Sequence, residues 1–242
     1  ISGNLSSQCV IIERMERIMR KIHVAVIGAG GKMGTRTSRN LAKLTDKYDL
    51  MLVENAPKGI ESIHARGLDV IPVEEALAKA EVVVFAVPDT LIKKLSAIYV
   101  PMLKPGTGFL ILDPAAAVAK ELTLRDDCTL GVAHPCHPSF LLDQDTPEAR
   151  ADRDGGKQDV VMSMICGEQE VFEKMQETAR DMYAAEHAYV MTSEQIAFLE
   201  PTLVELLGAT CLYAMAETVD EAERRGINRD AAVSFLTGHI YN

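Results

Sequence analysis

The sequence IHVAVIGAGGKMG, residues 22–34, decides the fold of this chain of 242 residues. Its β-branched apolar run, Ile22–Gly28, predicts a buried parallel strand. The run ends in a cluster of glycines, and a helix is predicted to follow from about Met33 to Leu44. A strand, a glycine-rich turn and a helix in this order are typical of a loop that binds the pyrophosphate of a dinucleotide. Glycine lets backbone N–H groups approach the phosphates, and the helix N-terminus favours their negative charge.

Dinucleotide binding is assigned to the whole turn. Its members are Gly28, Ala29, Gly30, Gly31, Lys32, Met33 and Gly34. The spacing departs from GxGxxG, because position 33 is Met and the last glycine falls at position 34. It fits a GxxGxxG variant in which Gly28, Gly31 and Gly34 take the structural roles. The alternative is an ordinary glycine-rich turn.

The choice of dinucleotide is predicted from the end of the second strand, Leu50–Glu54. A carboxylate there can accept both ribose hydroxyls of the adenosine and would repel a 2′-phosphate, so Glu54 favours NAD over NADP. Lys58 follows closely and weakens that preference. Val87, Pro88 and Asp89 come at the carboxyl end of a later strand, where ligands of open parallel sheets bind, and their backbone is predicted to line the cofactor.

Strands alternate with helices along the first 190 residues, which predicts βαβ units with right-handed crossovers. The predicted strands after the first two are Val70–Pro72, Val82–Val87, Phe109–Leu112, Thr129–Ala133, Val160–Cys166 and His187–Met191. The fold class is therefore α/β, a Rossmann-type doubly wound, mainly parallel sheet followed by an all-helical segment.

Three regions are predicted: an N-terminal extension over residues 1–20, a dinucleotide-binding domain over 21–192 and a helical substrate or dimerisation segment over 193–242. The extension is expected to be partly helical through Ile11–Ile18. The polar stretch Leu142–Gln158 predicts a solvated loop. The last region is one long helix, Glu194 to about Arg225, and a second one begun near Asn228. Such a piece cannot bury its own apolar stripe, so we expect it to pack in a homodimer or to be incomplete.

Composition narrows the class of protein. Apolar residues make up 48% and charged residues 25%, as in an ordinary globular protein. The formal charge of −10 argues against a nucleic-acid partner, and runs such as Val82–Val87 are far shorter than the roughly 20 residues of a membrane span. Five cysteines at unrelated spacings give neither a zinc pattern nor a disulfide framework, so a reducing cytoplasm is expected.

The segment His134-Pro135-Cys136-His137-Pro138 follows the sixth predicted strand at the edge where a nicotinamide ring would lie. His134 or His137 is a candidate general base or metal ligand. The alternative is that both only hydrogen-bond a loop stiffened by prolines. Cys136 has the chemistry of an aldehyde-dehydrogenase nucleophile, but nothing nearby marks it as activated, and a packed free thiol is favoured.

Glu200 is a further candidate, because it falls on the face of the long helix that also carries Ile196, Leu203 and Leu207. A carboxylate on an apolar stripe needs a partner, a proton or a metal. Pro201 offers the alternative of a kink or first turn that Glu200 caps. His134 and Glu200 together would suit a divalent metal that holds a hydroxy acid beside the nicotinamide. Asp113, Asp143 and Asp145 are weaker ligand candidates.

The motifs GAGGKMG, VPDT, AHPCHPSF and FLEPTLVE, together with Glu54, resemble the D-apionate oxidoisomerase family over the chain from about Lys21 to its end. AHPCHPSF with FLEPT is the distinctive part. The resemblance implies NAD-dependent oxidation of a branched sugar acid with migration of its carboxyl group, giving 3-oxo-isoapionate. It also implies that His134 and Glu200 are the metal-binding or catalytic pair.

Two other functions remain open at this point. A simple hydroxyacid or prephenate-type dehydrogenase also places His-Pro after the sixth strand, and it predicts a keto product and no metal requirement. A non-catalytic NAD-sensing protein would bind the dinucleotide while His134 and Glu200 served only structure.

Overall fold

The structure is a computed structural model that describes residues 20–138, 144, 146–151 and 156–241. The predicted extension, its helix Ile11–Ile18 and the ligand candidates Asp143 and Asp145 lie outside the described residues. The chain divides into two compact units, residues 1–194 and 195–242, which are described separately.

The first unit is built on a seven-stranded sheet of order β2-β1-β3-β4-β5-β6-β7. The strands are β1 Ile22–Ile27, β2 Tyr48–Val53, β3 Val82–Phe85, β4 Gly108–Ile111, β5 Thr129–Pro135, β6 Val160–Cys166 and β7 Ala188–Val190. All neighbouring strands are parallel except β5 and β6, which are antiparallel. The mainly parallel Rossmann-type sheet predicted from the sequence is confirmed.

Helices connect these strands. They are α1 Lys32–Leu41, α2 Pro57–His64, α3 Val73–Lys79, α4 Asp89–Tyr99, α5 Ala115–Val118, α6 Pro147–Ala151 and α7 Gln169–Tyr183, with a 3₁₀ turn at Val100–Met102. Because helices cover a parallel sheet, its central strands must be apolar throughout. The four residues of β3 and the run Val24–Val26 in β1 are accordingly inaccessible to solvent.

Strand order places a topological switch point between β1 and β3, since the chain leaves β1 toward β2 on one side and returns to β3 on the other. Ligands of open parallel sheets bind at the carboxyl ends of strands beside such a point. The glycine loop follows β1 there, and Pro88 follows β3. The fold therefore brings both predicted cofactor-binding segments to one edge.

Two predicted elements are wrong, and one helix was missed. Val70 makes only an isolated bridge to Leu52, because Pro72 at the next turn lacks the N–H group that a longer ladder needs. Helix α2 was not predicted, although Pro57 in its first turn is a typical helix start. The predicted loop Leu142–Gln158 contains the short helix α6.

The second unit lies in the helical region that begins with α8, Ser193–Leu199. The predicted helix Glu194–Arg225 is not uniform: Glu200–Gly208 is π-helical, and α9 Ala209–Arg224 and α10 Arg229–Tyr241 follow. Pro201 lacks the N–H group of a regular helical hydrogen bond, and a π segment is one way for a helix to absorb it.

The continuous helical stretch Ser193–Arg224 is long and apolar enough, by length and composition, to cross a membrane. Its most apolar 18-residue window has a mean hydropathy of 1.4, and 6% of that window is buried inside the chain. A helix covered by another subunit meets the same criterion.

Candidate active site

The glycine loop is held between the ends of β2 and β3. The N–H groups of Gly28 and Ala29 both donate to the Val53 carbonyl, at 2.9 and 3.1 Å. Gly28 has φ +79°, and a Cβ atom there would lie 2.6 Å from the Ala86 carbonyl oxygen. Only glycine fits this turn, as the sequence predicts.

The other glycines of the loop are not all required in the way that the sequence predicts. A Cβ on Gly34 would collide with the backbone of Gly28 and Ala29, and a Cβ on Gly30 would collide with the backbone of Gly59. A Cβ on Gly31 would lie 3.5 Å from the Gly28 carbonyl oxygen, an ordinary contact. The steric requirement therefore falls on Gly30 rather than Gly31, because α2, which was not predicted, packs directly on Gly30.

Glu54 closes the loop from the end of β2. One carboxylate oxygen accepts the Gly30 N–H at 3.0 Å, and the other accepts the N–H groups of Asn55 and Ala56 at 2.9 and 3.0 Å. A Cβ on Gly59 would lie 2.6 Å from the carboxyl carbon, so that glycine makes room for the carboxylate. Since each carboxylate oxygen has two lone-pair sites, Oε1 is fully used by Asn55 and Ala56, and Oε2 can accept one ribose hydroxyl in addition to the Gly30 N–H.

Arg66 supports the loop, and sequence reasoning missed it. Its guanidinium donates to the Ala29 carbonyl at 3.1 Å and to Ser38 Oγ on α1 at 3.0 Å. Burial lowers the pKa of this guanidinium, which stays far above neutrality. An arginine 37 residues from its partner leaves no local signal in the sequence.

The predicted segment Val87-Pro88-Asp89 lies at the carboxyl end of β3, where α4 begins at Asp89. The Ala86 N–H donates to the Ile27 carbonyl at 2.9 Å, so this segment starts beside the glycine loop. Its contact with a dinucleotide stays a prediction.

His134 and Asp113 form a pair of possible metal ligands at the same edge. His134, the sixth residue of β5, donates from Nδ1 to the Leu112 carbonyl at 2.9 Å, because a carbonyl can only accept. A ligand atom of Asp113 lies within 4.8 Å of one of His134, and one Asp113 carboxylate oxygen accepts the Ala115 N–H at 2.7 Å. An imidazole oriented by a backbone carbonyl beside an oriented carboxylate is a donor set that fits a divalent cation.

His137 follows β5 and turns toward α1. Its Nδ1 lies 2.9 Å from Nη1 of Arg36, and its backbone adopts a left-handed conformation with φ +59°. The ring centroids of His134 and His137 are 6.5 Å apart. Both predicted histidines therefore lie at one edge of the sheet, and His137 contacts α1, the helix that follows the glycine loop.

Cys136 is not an activated nucleophile. Desolvation, together with the negative charge of Asp159, raises the pKa of its thiol. A catalytic thiol needs the opposite shift, because the thiolate is the reactive form. The packed free thiol favoured from the sequence is only partly right, because the thiol is unactivated but the residue is exposed.

Glu200 is the first residue of the π-helical segment in the second unit. The face on which it was predicted to lie is buried only at Ile196, whereas the side chains of Leu203 and Leu207 are 52% and 58% exposed. The prediction used the period of a regular helix, which does not continue through a π-helical segment. Its role as a metal ligand stays a prediction.

Two family models match the chain. Residues 18–112 match the acetohydroxy acid isomeroreductase, NADPH-binding domain, and residues 142–241 match the phosphogluconate dehydrogenase (decarboxylating) C-term. The boundary between the matches falls around β5, the strand that carries His134.

Relatives named D-apionate oxidoisomerase match most of the chain. The protein of that name from Blautia hydrogenotrophica is 74% identical over 228 residues, 93% of this chain and 79% of the relative. The one from Cupriavidus necator is 42% identical over 225 residues, 91% of this chain and 81% of the relative.

Solved structures show the same fold. A semialdehyde dehydrogenase NAD-binding protein from Cupriavidus necator, in complex with calcium and NAD, is 41% identical with a TM-score of 0.83, covering 91% of this chain and 81% of its own. An NADH-preferring ketol-acid reductoisomerase from an uncultured archean has a TM-score of 0.63 at 19% identity, covering 89% of this chain and 65% of its own. The second likeness concerns the fold alone.

Proposed function

The chain belongs to the D-apionate oxidoisomerase family and is an oxidoreductase built on a Rossmann fold. From that premise we propose that it oxidises D-apionate with NAD and rearranges the carbon skeleton to give 3-oxo-isoapionate. One observation of the site carries the proposal: Asp113 and His134 offer a cation two ligands at the edge where the glycine loop lies. A divalent cation held there would polarise the oxygens of a ketol during the isomerisation, a step that a simple hydroxyacid dehydrogenase does not carry out. We place the reaction in cytoplasmic sugar-acid metabolism.

Each proposed role is assigned to a residue of the site described above. The loop Gly28–Gly34 binds the pyrophosphate of NAD, and Oε2 of Glu54 accepts a hydroxyl of the adenosine ribose. Asp113 and His134 hold a divalent cation, and Glu200 is proposed as a further ligand on the strength of the sequence. Bound NAD supplies a hydride acceptor, and a bound cation supplies polarisation of the substrate oxygens.

The electron balance is simple. Oxidation of one hydroxyl-bearing carbon gives one hydride to NAD and one proton to the site. The rearrangement that follows is redox-neutral, because one C–C bond breaks at the tertiary carbinol carbon while another forms at the new carbonyl carbon. Since the carboxyl group is already on that carbonyl carbon, the group that moves is a hydroxymethyl group rather than the carboxyl group expected from the sequence. We propose that the exposed side chain of His137, at the same edge of the sheet, contacts the substrate. One NADH per turnover is therefore expected.

The test follows NADH absorbance with D-apionate and other sugar acids, with and without EDTA, and analyses the product by carbon NMR. Turnover with D-apionate that EDTA abolishes and added Mn²⁺ restores, with a rearranged carbon skeleton in the product, is the expected result. A simple keto product insensitive to EDTA would instead support a hydroxyacid dehydrogenase. NAD binding without turnover on any sugar acid would support a sensing protein.

Cofactor choice gives a separate prediction. Replacing Glu54 by Gln (E54Q) removes the charge that would repel a 2′-phosphate while keeping one carbonyl acceptor for the loop. We expect the ratio of kcat/KM with NAD to that with NADP to fall by about tenfold. E61Q, at an exposed glutamate on α2, is the matched control. An unchanged ratio in E54Q would show that another residue selects the dinucleotide.

We also propose that residues 193–242 form a substrate and dimerisation segment, and that a second copy of this chain covers it. Large apolar side chains on it are more than half exposed, namely Phe198, Val204, Leu206, Leu207, Leu212 and Tyr213. A helix apolar on several faces needs a cover in water. Glu200 and Glu205 within this stretch favour a protein partner over lipid, because a carboxylate in a bilayer is costly.

Light scattering after gel filtration tests the dimer. The wild-type chain is expected at twice its mass of 26.4 kDa. In L212D a buried, unpaired carboxylate would weaken association by about a hundredfold or more, and E217A, at an exposed glutamate on the same helix, should not. A wild-type monomer, or flotation of the chain with lipid vesicles, would refute the proposal.

A further inference from the structure

Arg36 is a charged residue in the interior of the first unit. It lies on α1, one turn after the glycine loop, and its side chain is 6% exposed. Burying a guanidinium costs free energy unless specific partners hold it. One of its partners is His137, 101 residues away in the sequence.

The chemistry of this contact determines the tautomer of His137. Arg36 Nη1 lies 2.9 Å from His137 Nδ1. A guanidinium has only donors and keeps its proton, so Nδ1 must be the acceptor. The ring of His137 is then neutral, and its proton is on Nε2.

His134 has the opposite arrangement. Its Nδ1 carries the proton that is donated to the Leu112 carbonyl, which assigns the lone pair of the neutral ring to Nε2. Two histidines three residues apart therefore expose different chemistry through the same ring atom: an acceptor at His134 and a donor at His137.

We propose that Arg36 is a positioning residue that holds His137 as a neutral hydrogen-bond donor, through Nε2–H, to an oxygen of the bound hydroxy acid. This inference rests on the proposed function and deepens it, because it excludes His137 as the general base while Nδ1 is engaged. Proton acceptance and metal ligation are left to His134.

The position of Arg36 explains why such a contact is useful. Helix α1 begins at the loop that binds the dinucleotide, and the Arg36–His137 contact ties the segment after β5 to that helix. The donor is thereby fixed relative to the cofactor as well as to the substrate. A misplacement of about 1 Å at such a site costs about a hundredfold in rate.

The experiment reads the tautomer directly. Nitrogen-15 NMR of histidine-labelled wild-type protein, with H137N to assign the resonances, is expected to show His137 protonated on Nε2 and unprotonated on Nδ1. In R36M the Nδ1 resonance should move toward a mixture of tautomers, and kcat should fall at least tenfold with little change in KM for NAD. In R36K, which keeps one donor, both the Nδ1 resonance and kcat should return part of the way to their wild-type values.

R39M, at an exposed arginine on the same helix, is the control and should change neither readout. A wild-type spectrum with the proton on Nδ1 would overturn the inference whether or not the variants fold. So would an R36M protein with wild-type spectrum and kcat. If the spectra are as expected but D-apionate is not turned over, the tautomer assignment stands and the proposed substrate fails.

Discussion

The H134N variant is expected to lose about a thousandfold or more of kcat/KM for D-apionate and to keep its affinity for NADH. Asparagine retains an amide N–H near the position of Nδ1 and so preserves the donor to the Leu112 carbonyl, 2.9 Å away in the wild type. It removes Nε2, whose lone pair is assigned to the cation or to the substrate proton. Losing a positioned acid–base group or ligand typically costs 10²–10⁴-fold in rate.

Steady-state kinetics and NADH fluorescence titration measure the two quantities. H64N is the matched control, because His64 is exposed and its nearest acidic partner, Asp69, is 4.0 Å away. An H134N enzyme within tenfold of wild-type activity would remove His134 from the mechanism. A parallel loss of NADH affinity would show instead that the edge of the sheet had been disturbed.

Metal binding by the same variant shows whether His134 is a metal ligand or only a general base. Calorimetric titration with Mn²⁺ is expected to show affinity weakened by roughly 10–100-fold in H134N and similarly in E200Q. E205Q, five residues along the same segment, is the control for Glu200. Wild-type Mn²⁺ affinity in E200Q would leave His134 and Asp113 as the proposed ligands and exclude Glu200.

The glycine loop is the part of the site that sequence reasoning located best. A β-branched run that stops at glycine is a local signal, and the position of Gly28 follows from the turn it must make. The roles of Gly30 and Gly31 were exchanged because they depend on α2, a helix that begins 26 residues after Gly31 and was not predicted. Steric demands imposed by a distant backbone leave no mark beside the glycine.

The residues at the sheet edge show the same limit. His134 and His137 were found from a His-Pro-Cys-His-Pro segment after a strand. Arg36, on a helix, and Arg66, in the turn after α2, were not, because an arginine is usually solvated and the contacts that hold these two are with residues 101 and 37 positions away. For Glu200 the helical period was taken as constant, and the π-helical segment changed which residues share its face.

Gly34 is expected to be the glycine whose substitution costs most. In G34A the added methyl group would collide with the backbone of Gly28 and Ala29, and no flexible side chain is present to move aside. Helix α1 would have to shift away from the loop, and its N-terminal N–H groups would no longer point at the pyrophosphate. We expect NADH affinity to fall by about a hundredfold or more.

G31A provides the contrast within the same loop, because its methyl group would make an ordinary 3.5 Å contact with the Gly28 carbonyl oxygen at a backbone φ of −74°. NADH affinity in G31A should stay within about fivefold of wild type, as measured by fluorescence titration, with circular dichroism confirming that both variants are folded. Equal losses in the two variants would mean that the cofactor, rather than the packing of α1 on the loop, requires a bare backbone at both positions. Because the two substitutions add the same methyl group three residues apart, the difference in NADH affinity between them isolates the packing of α1 against the loop.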